Sequence, residues 1–331
     1  MRNAPMVRLL SPGLIACAVL AVAAAVRADP DAPALLVPPA LGRTDVVWIS
    51  GRVLEEEHGQ SGPPALRTAR GLAGSNRPGA AVKARFLGRT ARTMSAHDGE
   101  FEAVISAARR SPFPPGRHLA EVVVEGVRAR AAVQVVSPEA PFLLVSDFDD
   151  TVAVTGAAST ADVLTSTFLR DAETQPAVPG MAALYRCLGT NGGAPVAFVS
   201  GSPVQLAPRL TRFLEKNGFP HAALYLRNLG PDTLSRYKEP VLERLAERFP
   251  GLRLVLVGDT GERDPEIYAA FARAHPGRVL RAYLRQATPT PGPGSRFEGQ
   301  LLFQEPAQAA RDAVARGLAD PRCVEMAFPK P

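Results

Sequence analysis

The sequence predicts an α/β protein in which a small antiparallel β-sandwich precedes a parallel sheet with helices on both faces. Two observations carry this prediction. From about Asp45 to Val136, short segments of alternating apolar and polar residues are separated by turn residues, as in β-sandwiches. After Pro141, continuous apolar runs alternate with amphipathic segments, which is the pattern of buried parallel strands joined by helices.

The composition is that of a folded, basic protein. The chain has 331 residues, of which 46% are hydrophobic and 21% are charged, values typical of globular domains. This length fits two domains or one large domain. The formal net charge of +6 favours anionic partners, and we expect peripheral association with a phospholipid surface. A solvated basic surface explains the charge equally well. The Arg and Lys residues are scattered along the sequence rather than clustered, which weakens the argument for an anionic partner. We expect no nucleic-acid partner.

Residues 1–28 are predicted to be a signal peptide. Arg2 and Arg8 precede an apolar run that ends at Val26, and small residues follow at the expected cleavage position. We therefore expect export to the periplasm or the extracellular space. The segment that ends in Cys17 also resembles a lipoprotein processing box, but the long apolar stretch after this cysteine disfavours that alternative.

Two cysteines, Cys187 and Cys323, remain after signal-peptide cleavage. A disulfide could persist in an exported protein, yet nothing in the sequence places these two residues near each other. No metal-ligand spacing occurs among the Cys and His residues either. We therefore expect two unpaired structural cysteines.

The first domain, residues 29–137, is predicted to contain several short strands. The segment Val82–Phe86 alternates apolar and charged side chains, the two-residue period of a half-buried strand. The dipeptides at 98–99 and 125–126 predict turns, and a Gly-, Pro- and Arg-rich stretch from 60 to 80 predicts a long exposed loop. The other predicted strands are Phe101–Ile105, Leu119–Val124 and Ala131–Val136.

The second domain, residues 138–331, begins after a short segment of linker composition. Five apolar runs predict its strands, and four amphipathic stretches predict helices between them. The predicted strands are Phe142–Val145, Val196–Val199, Ala222–Leu226, Leu252–Val257 and Val279–Leu284. The predicted helices are Met181–Leu188, Gln205–Asn217, Pro240–Phe249 and Pro265–Ala274. Sheets of this kind bind ligands beyond the carboxyl ends of their strands, so functional residues are expected there.

The first of these strands runs directly into a cluster of acidic residues, Asp147, Asp149 and Asp150. Carboxylates this close together repel one another, and burying them without a cation would be unfavourable. Mg²⁺ binds hard oxygen ligands of this kind, so the cluster predicts a magnesium site. An acidic loop or helix cap is the alternative, which the preceding apolar strand disfavours.

Polar residues also follow the second and fourth strands. Ser200 and Ser202 precede a predicted helix, whose N-terminus could bind an anion, although a serine at this position is equally explained as a helix cap. Asp259 and Asp264 follow the fourth strand and could complete the metal site of the first cluster. Lys238 precedes another predicted helix and could neutralise a phosphoryl group, although a single lysine is usually a surface residue.

In chain order, these motifs resemble the signature of haloacid dehalogenase (HAD) phosphatases. That signature is Asp-x-Asp-x-Thr, here residues 147–151, then a strand-terminal serine, here Ser200, then a lysine, here Lys238. A Gly-Asp-x-x-x-x-Asp segment, here residues 258–264, completes it. The resemblance covers roughly residues 141–318 and implies a HAD-like Rossmannoid sheet.

Within this superfamily, the chain looks like the actin-patch-associated phosphatidate phosphatases and their bacterial secreted relatives. Bacterial members commonly carry a β-rich domain upstream, which fits the first domain. The chain departs from the family at Val204, where an aromatic residue is typical. The matching segments are Phe198–Pro203, Gly218–Pro220, Leu226–Arg227, Val257–Tyr268 and Pro276–Arg285.

The resemblance implies a catalytic role for each motif residue. Asp147 would attack phosphorus and form an aspartyl-phosphate, while Asp149 would act as general acid and base. Ser200 and Lys238 would hold the phosphoryl oxygens. The implied Mg²⁺ ligands are Asp147, Asp149 through its backbone carbonyl, Asp259 and Asp264. The residues expected to contact substrate are Thr151, Ser202 and Arg227, and Arg285 could also help bind the headgroup phosphate. Salt bridges at the edge of the core explain the two arginines equally well.

The resemblance also implies a substrate, phosphatidate or a related lipid phosphate. Few residues separate the first two motifs, and they include a helix-like stretch at 161–170. A large lid domain has little room there, and an open site suits bulky or surface-bound phosphomonoesters. Two alternatives remain at this point. One is a phosphatase of soluble phosphomonoesters or phosphoproteins, and the other is a non-catalytic surface-binding protein that works through its β-sandwich.

Overall fold

The structure is a computed structural model that describes residues 33–55, 75–154, 175–189, 193–228, 237–287 and 294–329. The predicted signal peptide, most of the predicted loop at 60–80 and the predicted helix at 161–170 lie outside these residues. The described part is a mixed α/β protein with two sheets, one mainly antiparallel and one parallel.

The N-terminal strands form one hydrogen-bonded sheet. They are β1 (Ala34–Leu36), β2 (Ala40–Gly42), β3 (Val46–Leu54), β4 (Ala81–Phe86), β5 (Arg89–Met94), β6 (Glu100–Ser106), β7 (Gly116–Val124) and β8 (Val127–Val135). Their order is β1-β3-β2-β8-β7-β4-β5, with β6 paired to β3. The pairs are antiparallel except that β2 runs parallel to β8, which corrects the prediction of a purely antiparallel domain. Since all eight strands share one hydrogen-bonded network, the two packed layers of a sandwich stay a prediction.

Alternation of side chains explains why these segments are strands. In β6, Phe101, Ala103 and Ile105 are buried while the residues between them are exposed. This is the two-residue period of a strand with one solvent-exposed face. The turn at Glu125 and Gly126 between β7 and β8 has positive φ at both positions, as a two-residue hairpin turn requires. The inward side chains build a core that belongs to this sheet.

The second sheet is entirely parallel. Its strands are β9 (Leu143–Ser146), β10 (Val196–Pro203), β11 (Ala222–Arg227), β12 (Leu254–Asp259), β13 (Val279–Arg285) and β14 (Leu301–Phe303). Their spatial order is β11-β10-β9-β12-β13-β14, so the first strand in sequence lies at the centre with later strands on both sides, as in doubly wound sheets. All five apolar runs predicted as strands are strands. The three-residue β14 was not predicted, because so short a segment shows no periodicity.

Helices cover both faces of this sheet. They are α1 (Met181–Cys187), α2 (Ala207–Lys216), α3 (Lys238–Arg248), α4 (Asp264–Ala274), α5 (Pro306–Ala315) and α6 (Pro321–Ala327). α1, α2, α5 and α6 pack on one face, and α3 and α4 pack on the other. In β9, Leu144 faces the first core while Leu143 and Val145 face the second. The four predicted helices are confirmed, and α5 and α6, which each begin with a proline, were not predicted.

Helix length bears on membrane insertion. The longest helices in the described ranges have 11 residues, and a membrane-spanning helix needs roughly 20. None of them is long and apolar enough to cross a bilayer.

The N-terminal sheet packs against the parallel sheet. Leu41 and Val136 belong to the same core as α3 and α4. The backbone N–H of Leu224 in the edge strand β11 donates to the carbonyl oxygen of Pro39 at 2.9 Å. A residue just before β2 therefore covers part of the free edge of the second sheet, which would otherwise expose unpaired backbone groups.

A disulfide joins Cys187 and Cys323, so the expectation of two unpaired cysteines is wrong. Cys187 ends α1, and Cys323 lies in α6, whose helix packs directly on α1 and α5. The sequence separation of 136 residues hides this proximity, because the contact arises only when the chain completes the sheet and returns to cover its first face.

Candidate active site

The site lies at the carboxyl ends of three neighbouring strands. Asp147 directly follows β9, Ser200 and Ser202 lie near the end of β10, and Asp259 ends β12. Because β9 lies between β10 and β12 in a parallel sheet, these three ends meet at one edge. This edge is the switch point at which doubly wound sheets bind ligands.

Asp147 is buried, with only 2% of its surface exposed. Its Oδ1 lies 2.9 Å from Nζ of Lys238, and its Oδ2 accepts a hydrogen bond from Thr151 Oγ1 at 3.3 Å. Burial raises the pKa of Asp147 well above its usual range, while the charge of Lys238 opposes that shift. The backbone N–H of Asp147 donates to the carbonyl of Val257 at 2.9 Å, which anchors the residue to the neighbouring strand β12.

Lys238, the first residue of α3, is buried and binds three carboxylates. Its Nζ lies 2.9 Å from Asp147, 2.5 Å from Asp264 and 3.1 Å from Glu262. Burial lowers the pKa of an ammonium group, but these three carboxylates outweigh that effect and raise the pKa of Lys238 well above its usual range. The lysine therefore stays charged inside the site. Its burial excludes the alternative that Lys238 is an ordinary surface residue.

Three carboxylates form a group that can hold a metal ion. Asp147, Asp259 and Asp264 each offer an oxygen, and these oxygens all lie within 4.8 Å of one another. Within the described part of the chain, Asp259 Oδ2 is buried without a hydrogen-bond partner. Burial and the nearby Asp264 raise the pKa of Asp259 to about 7. Clustered hard oxygens with one buried oxygen left unsatisfied fit a Mg²⁺ ion, so the donor set agrees with the predicted metal site.

The side chain of Asp149 points to the serines rather than to this group. Its Oδ2 accepts hydrogen bonds from Ser200 Oγ at 3.0 Å and from Ser202 Oγ at 3.3 Å. Burial, and to a smaller extent Glu262, raise the pKa of Asp149 to about 7. Its role as a metal ligand was assigned to the backbone carbonyl, and that role stays a prediction. No side chain caps the 3₁₀ helix at 204–206 or α2 after it, so neither serine is a helix cap.

Two arginines at other strand ends brace the surrounding loops. Arg227 Nε donates to the carbonyl oxygen of Gly201, between the two serines, at 3.0 Å. The guanidinium of Arg285 donates to the carbonyl oxygen of Asp150, a residue with a positive φ of 50°. Both arginines therefore border the site, and their contact with substrate stays a prediction, as it does for Thr151.

Sequence reasoning missed two residues of this site. The sequence motif leaves Glu262 as an unspecified position between Asp259 and Asp264, although its carboxylate binds Lys238. The signal that could have identified Glu262 is that it is an acidic residue within the segment between Asp259 and Asp264. The motif includes Gly258 without giving a reason for it, yet a Cβ atom there would lie 2.8 Å from both Cβ and Cγ of Asp264. The glycine therefore provides the space that the Asp264 carboxylate occupies.

Known proteins resemble this part of the chain. The family model described as the phosphatidate phosphatase APP1 catalytic domain matches residues 142–286. An uncharacterized protein of Schizosaccharomyces pombe is 36% identical over 151 residues, covering 43% of this chain and 24% of that protein. Phosphatidate phosphatase APP1 of Saccharomyces cerevisiae is 28% identical over 151 residues, covering 43% of this chain and 25% of that protein.

The match leaves most of the relatives' length uncovered, because the chain matches only about a quarter of each of these two fungal proteins. Among solved structures, a carbohydrate acetylesterase from Xanthomonas citri aligns with a TM-score of 0.28 and 11% identity over 77% of this chain and 68% of that chain. So low a score supports no conclusion about fold. The family match spans β9 to β13 and includes every acidic residue of the site, and over residues 142–286 the chain is therefore similar to the phosphatidate phosphatase APP1 catalytic domain.

Proposed function

We propose that this chain hydrolyses phosphate monoesters and that its substrate is phosphatidate or a related lipid phosphate. The observation that carries the proposal is the pairing of buried Asp147 with Lys238 at 2.9 Å, within the segment that matches the phosphatidate phosphatase domain. An aspartate held beside a fixed cation at a strand end can act as a nucleophile on an anionic phosphoryl group.

The first chemical step forms an aspartyl-phosphate. A carboxylate oxygen of Asp147 attacks phosphorus, the bond from phosphorus to the alkoxide oxygen breaks, and the electron pair leaves with that oxygen. The ammonium group of Lys238 offsets negative charge on the phosphoryl oxygens in the transition state. In the second step, water attacks the same phosphorus, releases inorganic phosphate and restores the Asp147 carboxylate.

Asp149 handles the proton in both steps. Its carboxyl group gives a proton to the leaving alkoxide and then takes one from the attacking water. A pKa of about 7, raised by burial, suits this role because the group can hold or release a proton near neutral pH. The hydroxyls of Ser200 and Ser202 both bond Oδ2 and thereby orient the carboxyl group, whose Oδ1 has no partner among the described residues.

Asp147, Asp259 and Asp264 would hold a Mg²⁺ ion, together with the backbone carbonyl of Asp149. When bound, the ion would supply positive charge that stabilises the phosphoryl oxygens. The three carboxylates and the buried, unpartnered Asp259 Oδ2 support this assignment. Glu262 and Asp264 keep Lys238 at the site through their ion pairs.

The finer features of fold and location belong to the same proposal. The doubly wound strand order and the strand-end acids support a HAD-like catalytic domain at 138–331, and the separate core of the first sheet supports a sandwich domain at 29–137. The basic, apolar start of the sequence supports a signal peptide at 1–28 and export. The Cys187–Cys323 disulfide supports an oxidising compartment.

A panel of substrates tests the proposal. We expect the wild-type protein to release phosphate from phosphatidate vesicles faster than from soluble phosphomonoesters, and chelation of divalent ions to stop the reaction until Mg²⁺ is added. The Asp147→Asn variant should lose activity on every substrate, because its amide is a poor nucleophile. Asp45→Asn, which removes an exposed carboxylate of the N-terminal sheet, is the matched control and should retain activity.

The outcomes separate the alternatives. A preference for soluble substrates would contradict the lipid substrate but not the proposed mechanism of phosphate-ester hydrolysis. Such a result would be consistent with Val204 in the place of an aromatic residue. Full activity of Asp147→Asn would refute the nucleophile. No phosphate release from any substrate in the presence of Mg²⁺ would favour a non-catalytic binding protein.

A further inference from the structure

The outer face of the N-terminal sheet gathers basic residues that lie apart in the sequence. Residues directly opposite in an antiparallel pair point to the same side. Lys83 lies opposite Arg92, and Arg85 lies opposite Glu121. Strand β8 adds two arginines on the same side, because Arg130 pairs with Glu121 and Arg128 pairs with Val123. The residues between them, such as Val82 and Ala84, are buried, so this side faces solvent.

We call this surface the basic face, and its charged members are Lys83, Arg85, Arg92, Arg128, Arg130 and Glu121. Five cations therefore surround one carboxylate. Glu121 forms ion pairs with Arg85 at 3.0 Å and with Arg128 at 3.5 Å, yet the side chain of Arg128 remains 66% exposed. The single carboxylate cannot neutralise the surface, so four positive charges remain.

The pair of Lys83 and Arg92 is unfavourable for the fold itself. Like charges directly opposite each other in neighbouring strands destabilise a sheet, and neither residue forms an ion pair within the described ranges. The chain thus retains a local repulsion that a polar substitution at either position would remove. An anionic partner placed over both side chains would turn this repulsion into attraction.

Large apolar side chains accompany these charges. Met94 lies opposite Ala81 on the same side of the sheet and is 64% exposed, and Leu119, two residues before Glu121, is 60% exposed. Cationic side chains combined with exposed apolar ones are typical of surfaces that bind the lipid–water interface, because the cations attract anionic headgroups while the apolar groups enter the acyl boundary.

We propose that the basic face docks this protein onto membranes that contain anionic phospholipids. The choice of a lipid surface over another polyanion rests on the proposed function, since phosphatidate is itself an anionic lipid, and on the exposed Met94 and Leu119. The scattered basic residues of the sequence are thus concentrated by strand pairing. Docking would bring the enzyme to the surface in which its substrate resides.

Vesicle sedimentation of the full chain tests this docking without any hydrolysis. Vesicles of phosphatidylcholine with phosphatidylglycerol serve as the anionic surface, and vesicles of pure phosphatidylcholine serve as the neutral one. The test variant is Lys83→Gln with Arg92→Gln. The control variant is Arg109→Gln with Arg110→Gln, which removes two exposed charges from the loop between β6 and β7 and so has the same net charge.

We expect the wild type to bind the anionic vesicles, to bind neutral ones far more weakly and to dissociate as salt is added. The test variant should partition roughly 10- to 30-fold more weakly, since each cation near an anionic surface contributes about 1 kcal/mol. Its unfolding midpoint should be equal to or above that of the wild type, because the repulsion is relieved, so misfolding would not explain the loss. The control variant should bind within about twofold of the wild type, because its charges lie off the face.

Three results would overturn the docking surface. The first is that the wild type does not bind anionic vesicles at low salt, and the second is that the test variant binds as well as the wild type. The third is that the control variant loses binding as strongly as the test variant. Because phosphatidylglycerol is a phosphodiester and needs no active site for binding, failure of the phosphatase assay leaves this result untouched. Conversely, hydrolysis of phosphatidate without binding to these vesicles would refute the docking surface and support the proposed function.

Discussion

At the residue scale, neighbouring carboxylates of the site differ in the partners that surround them. Asp147 has an ammonium group at 2.9 Å, whereas Asp149 has two hydroxyls. Asp259 accepts backbone N–H groups of residues 261 and 262 through Oδ1 and keeps a buried Oδ2 without a partner in the described ranges. Distinct partners give chemically similar groups distinct properties, and in the proposed mechanism these three groups serve nucleophilic attack, proton transfer and metal binding.

Gly258 provides the sharpest residue-scale prediction. In Gly258→Ala, the new methyl group would overlap the Asp264 carboxylate and move it away from Asp259 and Lys238. We expect Mg²⁺ affinity to fall about 10- to 100-fold, as for other residues that support metal ligands, measured by calorimetric titration. Gly251→Ala is the matched control, because a Cβ there meets no atom within 4 Å. Equal affinities in the two variants would contradict the role given to Gly258.

At the element scale, the C-terminal helices complete one face of the parallel sheet. α5 and α6 both pack on α1, and the disulfide fixes α6 to the last residue of α1. The same contact region includes the backbone bond from Asp320 N–H to the Cys187 carbonyl at 3.0 Å. The first and the last helix among the described residues are therefore joined at this face.

Loss of this disulfide should lower stability. A Cys187→Ser, Cys323→Ser double variant frees a loop of 136 residues in the unfolded chain, and removal of a native disulfide typically costs about 2–5 kcal/mol. Thermal unfolding followed by circular dichroism would measure the change. Reductant should lower the midpoint of the wild type and leave the double variant unaffected. Equal midpoints for oxidised wild type and double variant would show that the bond contributes no stability.

At the scale of the whole molecule, Trp48 of β3 lies at the junction between the two sheets. The guanidinium carbon of Arg248, at the end of α3, lies 4.8 Å from its ring centre, and the ring of Phe249 meets it edge-on at 6.1 Å. Arg248 also forms an ion pair with Glu102 of β6 at 2.6 Å. This junction couples the N-terminal sheet to the helix that begins with Lys238, a residue of the candidate site.

Removal of Trp48 should uncouple the two units. Truncation to alanine deletes the aromatic contact with Phe249 and the cation–π interaction with Arg248, each worth about 0.5–1.5 kcal/mol or more. We expect calorimetry to show two separated unfolding transitions where the wild type shows one. Val104→Ala, at a position on β6 that is 50% exposed, is the control and should leave a single transition. A single transition in the Trp48 variant would mean that other contacts suffice for coupling.

The sequence by itself determined the parallel strands and the acids that follow them. Buried strands need continuous apolar runs, and a polar residue directly after such a run must lie at the edge of the sheet. The sequence alone therefore places Asp147 and Asp259 at the sheet edge, and the order of the motifs adds Ser200 and Lys238. These inferences depend only on residues that are adjacent in the sequence, so a local sequence pattern is sufficient to make them.

Only the tertiary structure decided which distant residues meet. The pairing of Cys187 with Cys323, the contact of Glu262 with Lys238 and the overlap that makes Gly258 necessary all join separate elements. Strand β5 was missed because its Arg- and Thr-rich segment lacks an apolar alternation, and with it the basic face was missed. The physical reason is common to these cases, since the energy of such a contact depends on distances set by packing and strand register, which no local periodicity encodes.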